Sequence, residues 1–97
     1  VLRKLHGHGW LVSAGVRSAG GLKGGGDLLT HRYEAEEEGG AEAWVAATVE
    51  RFGRIDALVN AAGINPMAGL LDADESPHDR TWRVNVKGPL RLIRAAW

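Results

Sequence analysis

Apolar and polar positions alternate between two periods along this chain. Trp10-Leu11-Val12-Ser13-Ala14-Gly15-Val16 is a short, mostly apolar run with β-formers, which predicts a buried strand over 10–16. Leu28-Leu29-Thr30-His31-Arg32-Tyr33 predicts a second strand over 28–33. Between them, Arg17 to Asp27 contains five glycines and reads as a flexible loop. The period then changes. Ala41, Val45, Thr48, Val49 and Phe52 recur at helical spacing and form one face of an amphipathic helix over 41–52. Gly53 stands where a left-handed C′ residue closes such a helix. Ile55-Asp56-Ala57-Leu58-Val59-Asn60 predicts a third strand, with Gly63 starting the turn after it. After a loop over 64–75, Ser76 is a candidate N-cap, Pro77 fits the first helical position, and the Asp79 carboxylate meets free N–H groups and the positive end of the dipole. Trp82, Val86, Leu90, Ile93 and Trp97 continue at helical spacing, so a helix is expected over 76–97. Residues 1–5 are too short to show a period and read as the tail of a helix closed by Gly7 or Gly9. Strand and helix alternate throughout, which argues for the α/β class with parallel strands. Neither end carries a cap or stop signal, and both read as cuts through helices.

Composition adds mainly exclusions. With 97 residues the chain fits one small domain at most. Apolar residues make up 44% and charged residues 25%, an ordinary globular balance. Twelve basic and twelve acidic side chains cancel, so no net charge draws the chain to nucleic acid or to a membrane surface. The charges are nevertheless segregated. Arg3, Lys4, Arg17, Lys23 and Arg32 face only Asp27 in residues 1–33, whereas residues 34–50 hold six glutamates and no base. There is no cysteine, which excludes disulfides and thiolate metal sites. His6 and His8 are the only close histidine pair, and no third ligand joins them, so no metal is expected. The apolar runs are too short to span a bilayer and the N-terminus has no signal-peptide core, which makes a cytoplasmic location the default.

Three places attract chemical interest. The first is the end of the third strand, where Asn60-Ala61-Ala62-Gly63 follows a buried run at once. In open α/β sheets ligands bind beyond the carboxyl ends of the strands, and small residues there let a flat ligand approach the backbone. Asn60 can hold the turn through bonds to neighbouring backbone. A strand-to-loop turn without function is the alternative. The second is Asn85 with Pro89. Pro89 has no N–H for the carbonyl four residues back, which belongs to Asn85, so the helix should kink between Val84 and Leu90 and leave that carbonyl free. Two helices joined at Gly88-Pro89 are the alternative. The third is a pair of strand-end residues. Arg17 directly follows the first strand, where a guanidinium can clamp a phosphate. Glu34 directly follows the second, where a carboxylate can accept an adenine amino group. Against these stand a solvated loop arginine and simple membership of the acidic run Glu34, Glu36, Glu37 and Glu38. Tyr33 and Trp44 read as packing residues. No Ser-His-Asp set declares itself, because Ser13, Ser18 and Ser76 lack an elbow or partner motif.

Arg51-Phe52-Gly53-Arg54-Ile55-Asp56-Ala57-Leu58-Val59-Asn60-Ala61-Ala62-Gly63 resembles the central segment of classical short-chain dehydrogenases/reductases, with Asn60-Ala61-Ala62-Gly63 in place of their Asn-Asn-Ala-Gly motif. Arg83-Val84-Asn85-Val86-Lys87-Gly88 is similar to the segment holding that family's catalytic asparagine, at the right separation. The resemblance implies an α/β fold with a Rossmann-like parallel sheet, present here in part: residues 1–97 would be a partial NAD(P)-binding domain without the first strand and the C-terminal half. The missing strand would lie between those at 10–16 and 55–60, so a gap or a non-native pairing is expected there. The implied activity is hydride transfer between nicotinamide and a carbonyl or alcohol carbon of a small molecule, with a tyrosine as general acid/base. Asn85 would be catalytic, holding a relay water through its main-chain carbonyl. Arg17, Glu34, Asn60, Ala61, Ala62 and Gly63 would contact the cofactor. Val16 stands where NAD-specific members commonly carry an acid, and Arg17 next to it favours NADP(H) over NAD(H). A homo-oligomer is implied, with neither nucleic acid nor membrane as partner. The family's glycine-rich phosphate loop, catalytic serine and Tyr-x-x-x-Lys pair fall outside this sequence, so the chain alone is expected to be poorly ordered and inactive. The alternative of another class is a truncated, non-catalytic fold fragment that needs a partner or does nothing. A receiver-like domain would require an acidic pocket at a strand end, and no aspartate stands there.

Overall fold

A computed structural model describes residues 2–17 and 25–97. The chain runs α1 (Leu2–Gly7), β1 (Val12–Val16), β2 (Leu28–Arg32), α2 (Gly40–Phe52), α3 (Ser76–Trp82), a π-helical turn (Arg83–Lys87) and α4 (Gly88–Ala96). The expected glycine-rich loop falls mostly on 18–24, outside the described residues.

The two strands are parallel and in register from Val12 opposite Leu28 to Val16 opposite Arg32. The pairing continues one step beyond each end. Val12 N–H donates to the Asp27 carbonyl, and Tyr33 N–H to that of Val16, both at 2.8 Å. This is the parallel α/β sheet that the alternation of strand and helix requires, with β1 beginning two residues later than its apolar run suggests. Trp10 and Leu11 stay 49% and 58% exposed in the link from α1. That link is closed by Gly9, at φ 87°, and Trp10 N–H reaches back to the Leu5 carbonyl at 3.2 Å.

Helix α2 covers the strand pair through Trp44. A Cβ on Gly15 would lie 2.8 Å from the indole ring, so only glycine lets the ring rest on β1. Tyr33 packs against the same indole at a tilt, with ring centroids 5.1 Å apart. Both aromatics are therefore packing residues. A closed ring of hydrogen bonds ties the layers. Trp44 Nε1–H donates to Ser13 Oγ at 2.9 Å, Ser13 and Thr48 hydroxyls meet at 2.7 Å, and Thr48 Oγ1–H donates to the Trp44 carbonyl at 2.9 Å. Because the Thr48 proton is committed to that carbonyl, Ser13 must be the donor in the middle bond. Thr48 is buried, and among the described residues no buried side-chain polar atom lacks a partner. Helix α2 ends as its sequence predicts: Gly53 sits at φ 82° and donates to the Val49 carbonyl at 2.7 Å.

Two expectations are corrected, the strand at 55–60 and the cap of α3. The segment 55–60 forms no strand. A strand is completed by its neighbour's hydrogen bonds, and neither β1 nor β2 lies alongside this segment, so Val59 remains 51% exposed. The stripe Trp82, Val86, Leu90, Ile93 and Trp97 is not the buried face of the last helix. That face is Val84, Gly88 and Leu92, one helical row away, and through it α4 packs against α2. Periodicity showed an apolar stripe but could not say which of two adjacent stripes meets a partner. Finally, the cap before α3 is Glu75, without a side-chain bond. The capping task falls to Asp74, whose Oδ1 accepts both the Ser76 backbone N–H at 3.0 Å and its hydroxyl at 2.6 Å. Those two bonds hold the Asp74 carboxyl below its ordinary value.

The buried apolar set is small: Ala14, Ala41, Val84 and Leu92. The radius of gyration is 15.1 Å, against about 13 Å for a compact 100-residue domain. The stretch between α2 and α3 is irregular, and Met67, Leu70 and Leu71 in it are 94% exposed or more. Among the described residues no helix is long and apolar enough to cross a membrane.

Candidate functional site

Pro89 sets the geometry around Asn85. An α-helical ladder through this point would need an N–H on residue 89, and proline has none. The chain responds by widening rather than breaking. Over Arg83–Lys87 the helix becomes π-helical, and Gly88 N–H bonds the Arg83 carbonyl five residues back. A discontinuity was expected between Val84 and Leu90, and it is a π-turn there, a form that recurs at functional sites. The two-helix alternative, split at Gly88-Pro89, is replaced by one continuous path from α3 to α4.

The widened turn points the Asn85 side chain across to the other motif. Its Oδ1 accepts the Ile64 N–H at 2.8 Å and its Nδ2 donates to the Ile64 carbonyl at 2.7 Å. Both backbone groups of the residue following Gly63 are thus satisfied by one amide. Gly63 itself lies under this clamp: a Cβ there would stand 3.2 Å from Asn85 Oδ1. Sequence pattern drew attention to the Asn85 carbonyl, whereas the side-chain amide does the visible work. Its spacing to Ile64, 21 residues, carries no local signature. Asn60, Ala61, Ala62 and Gly63 are all exposed and small, and leave an open backbone strip beside Asn85.

The strand ends form a second cluster. In-register parallel pairing sets Arg17 and Glu34 side by side at the carboxyl edge, where Arg17 Nε–H donates to Glu34 Oε2 at 3.0 Å. The arginine side chain is 71% exposed and the glutamate 26%. Each was singled out alone by its position; that they bond one another was not legible without the register.

The turn after β2 joins the two clusters. Glu36 Oε1 accepts from Arg80 Nε at 2.8 Å and its other oxygen lies 3.6 Å from Arg83 Nε. The Arg80 hydrogen bond, more than any other influence, holds the Glu36 carboxyl below its usual range. Arg91 donates to the Ala35 carbonyl at 3.3 Å, and Gly88 admits Ala35 so closely that an added Cβ would come within 3.2 Å of it. Ala35 and Glu36 are therefore fastened to the helical path that carries Asn85. Of the acidic run, Glu36 is a tether and not merely a solvated charge, and Glu37 pairs with Arg32 at 2.8 Å. Glu36 looked like a solvated charge because its basic partners lie more than forty residues away in α3 and the π-turn.

The chain is similar to known proteins over most of its length. Residues 18–97 match the family model described as enoyl-(acyl carrier protein) reductase. The agropine synthesis reductase of Rhizobium rhizogenes is 36% identical over 98 aligned positions, which cover 95% of this chain and 23% of that protein. The L-rhamnose 1-dehydrogenase (NAD(P)(+)) of Sphingomonas is 39% identical over 56 positions, covering 58% of this chain and 22% of that protein. Among solved structures, the short-chain dehydrogenase/reductase glucose/ribitol dehydrogenase of Brucella melitensis superposes with a TM-score of 0.85 at 27% identity, over 95% of this chain and 42% of that one. The chain thus spans about a quarter of the first relative and under half of the solved structure.

Proposed function

The chain belongs to the short-chain dehydrogenase/reductase family of oxidoreductases, and on that premise we propose that it forms the adenosine side and one edge of the nicotinamide pocket of an NAD(P)-dependent enzyme acting on a small carbonyl or alcohol. The observation that carries this reading is the Asn85–Ile64 clamp, which joins the two motifs of the resemblance at one point.

The residues suit such a cofactor. The exposed strip at 60–63 admits a flat ring system against backbone, and the exposed Arg17 guanidinium suits a phosphate. Glu34 offers a carboxylate to an adenine amino group. A bound nicotinamide dinucleotide supplies or accepts the hydride. Asn60, Ala61, Ala62 and Gly63 would line its edge and exclude bulk from that face. Asn85 would fix this strip through its side chain and hold a water at its main-chain carbonyl, which Pro89 cannot occupy. Arg17 next to Val16 favours NADP(H) over NAD(H), because a guanidinium attracts a 2′-phosphate and no carboxylate at position 16 competes for ribose hydroxyls. The enzyme would work in the cytoplasm as a homo-oligomer.

By itself the chain should not turn over. A proton donor must stand on the substrate oxygen, and no Tyr-x-x-x-Lys occurs in this sequence, where Tyr33 is the only tyrosine. The experiment is an assay of the intact enzyme with NADPH and NADH over a panel of ketones and secondary alcohols. Turnover with NADPH that falls in Asn85→Ala, while NADPH still binds, supports the assignment. Absence of nicotinamide-dependent turnover across the panel, with no binding of either nucleotide, would end it.

A further inference from the structure

The Arg17–Glu34 pair has an asymmetry that bears on cofactor choice, on the premise that the proposed NAD(P) site is real. Glu34 is anchored. Its backbone carbonyl accepts the Glu37 N–H at 3.0 Å, and an added Cβ on Gly40 would come within 3.4 Å of that same oxygen. The two residues after it are fastened to Arg91 and to Arg80. Arg17 has no such support. Its side chain is 71% exposed, and Glu34 Oε2 is its hydrogen-bond partner among the described residues. The carboxylate, 26% exposed on a held backbone, is thus the better-covered member and the guanidinium the more open one.

The bond uses Nε, which leaves the two terminal nitrogens of the guanidinium to meet a phosphate. The carboxylate 3.0 Å away at the same time cancels part of the charge such a phosphate would meet. We propose that Glu34 is a specificity-determining residue: it orients Arg17 through Nε and partly neutralises it, and so narrows the difference in affinity between nucleotides with a 2′-phosphate and those with a 2′-hydroxyl. An exposed ion pair is weak and salt-screened, so the narrowing is modest and Arg17 still favours the phosphate.

The test is a set of equilibrium titrations of NADPH and NADH against the intact enzyme, read by quenching of tryptophan fluorescence. The proteins are the wild type, Glu34→Gln, Arg17→Ala and the double variant. Glutamine keeps an oxygen for Arg17 Nε–H and for an adenine amino group, and removes only the charge. Glu34→Gln should raise the preference for NADPH over NADH by about two- to fivefold, the scale of an exposed ion pair, whatever common change the adenine contact brings to both. The NADPH constant should also become more sensitive to salt. In the Arg17→Ala background the same change should do nothing to the NADPH-to-NADH ratio. Binding with an unaltered ratio in Glu34→Gln, or an equal gain without Arg17, overturns this inference alone. Failure of every protein to bind either nucleotide overturns the cofactor site itself, and this inference with it.

Discussion

Residues 12–16 and 55–60 are both apolar, β-prone runs followed by ligand-like turns, yet only the first is a strand. Val12–Val16 lies in register with Leu28–Arg32, and Trp44 covers it, bonded to Ser13. Residues 55–60 have no neighbouring strand among the described residues, and the side chains at 56, 57, 59 and 60 are exposed. What differs is not propensity but partners. A strand's backbone groups must be met by another chain segment, and its side chains by a layer. In the Brucella melitensis structure, the part that superposes on this chain is 42% of the whole.

The strongest way to break the contrast is to remove what covers β1. Trp44→Ala deletes the cover and the indole bond to Ser13, and should cost roughly 3–5 kcal/mol in the intact enzyme, a drop in melting temperature that calorimetry records. Gly15→Val should act alike, because any Cβ collides with the indole. The matched change in the other run, Val59→Ala, should cost under about 1 kcal/mol if that segment is as open as it stands here.

Next in size is the clamp. Asn85→Ala removes both bonds to Ile64, and the displaced strip should lower turnover on the order of a hundredfold, with a smaller change in the NADPH dissociation constant. Pro89→Ala sharpens the claim in the opposite direction. It supplies the N–H that the π-turn does without, so stability should rise by about 1 kcal/mol, while turnover falls as the Asn85 carbonyl becomes occupied. Higher stability with unchanged turnover would show that the carbonyl is not used.

The smallest effect is on pH. The Glu36 carboxyl titrates below its ordinary value because Arg80 bonds it. Its contribution is therefore full above the ordinary carboxylate value and fades as the pH falls through the lowered one. Hydrogen exchange of residues 34–38 should quicken over that acid range. Glu36→Gln should flatten the change, and an unaltered profile would remove the tether from the account.

Much of this was legible from local pattern. Gly9 and Gly53 closing their helices, the two strands and α2 rest on residues close in sequence, where spacing and φ preference decide. Pro89 located the irregular turn, although proline chemistry alone does not choose between a kink and a π-turn. Contacts across the fold were not legible. The bond from Asn85 to Ile64, the reach of Glu36 to Arg80 and the pairing of Arg17 with Glu34 each depend on register or on helix docking. The exposed stripe from Trp82 to Trp97 shows the same limit, since its period is helical whichever side meets a partner.

Whether these residues hold only part of a nicotinamide site is tested most directly on the 97-residue chain itself. Calorimetric titration with NADPH, paired with a circular dichroism melt, should give no measurable heat of binding and a broad, non-cooperative transition, because on the proposed reading the phosphate-binding turn is supplied by other residues, and among the described residues the two-stranded sheet has no further strand at its edges. A sharp cooperative melt together with micromolar NADPH binding would contradict that account and make this segment a self-sufficient binding domain.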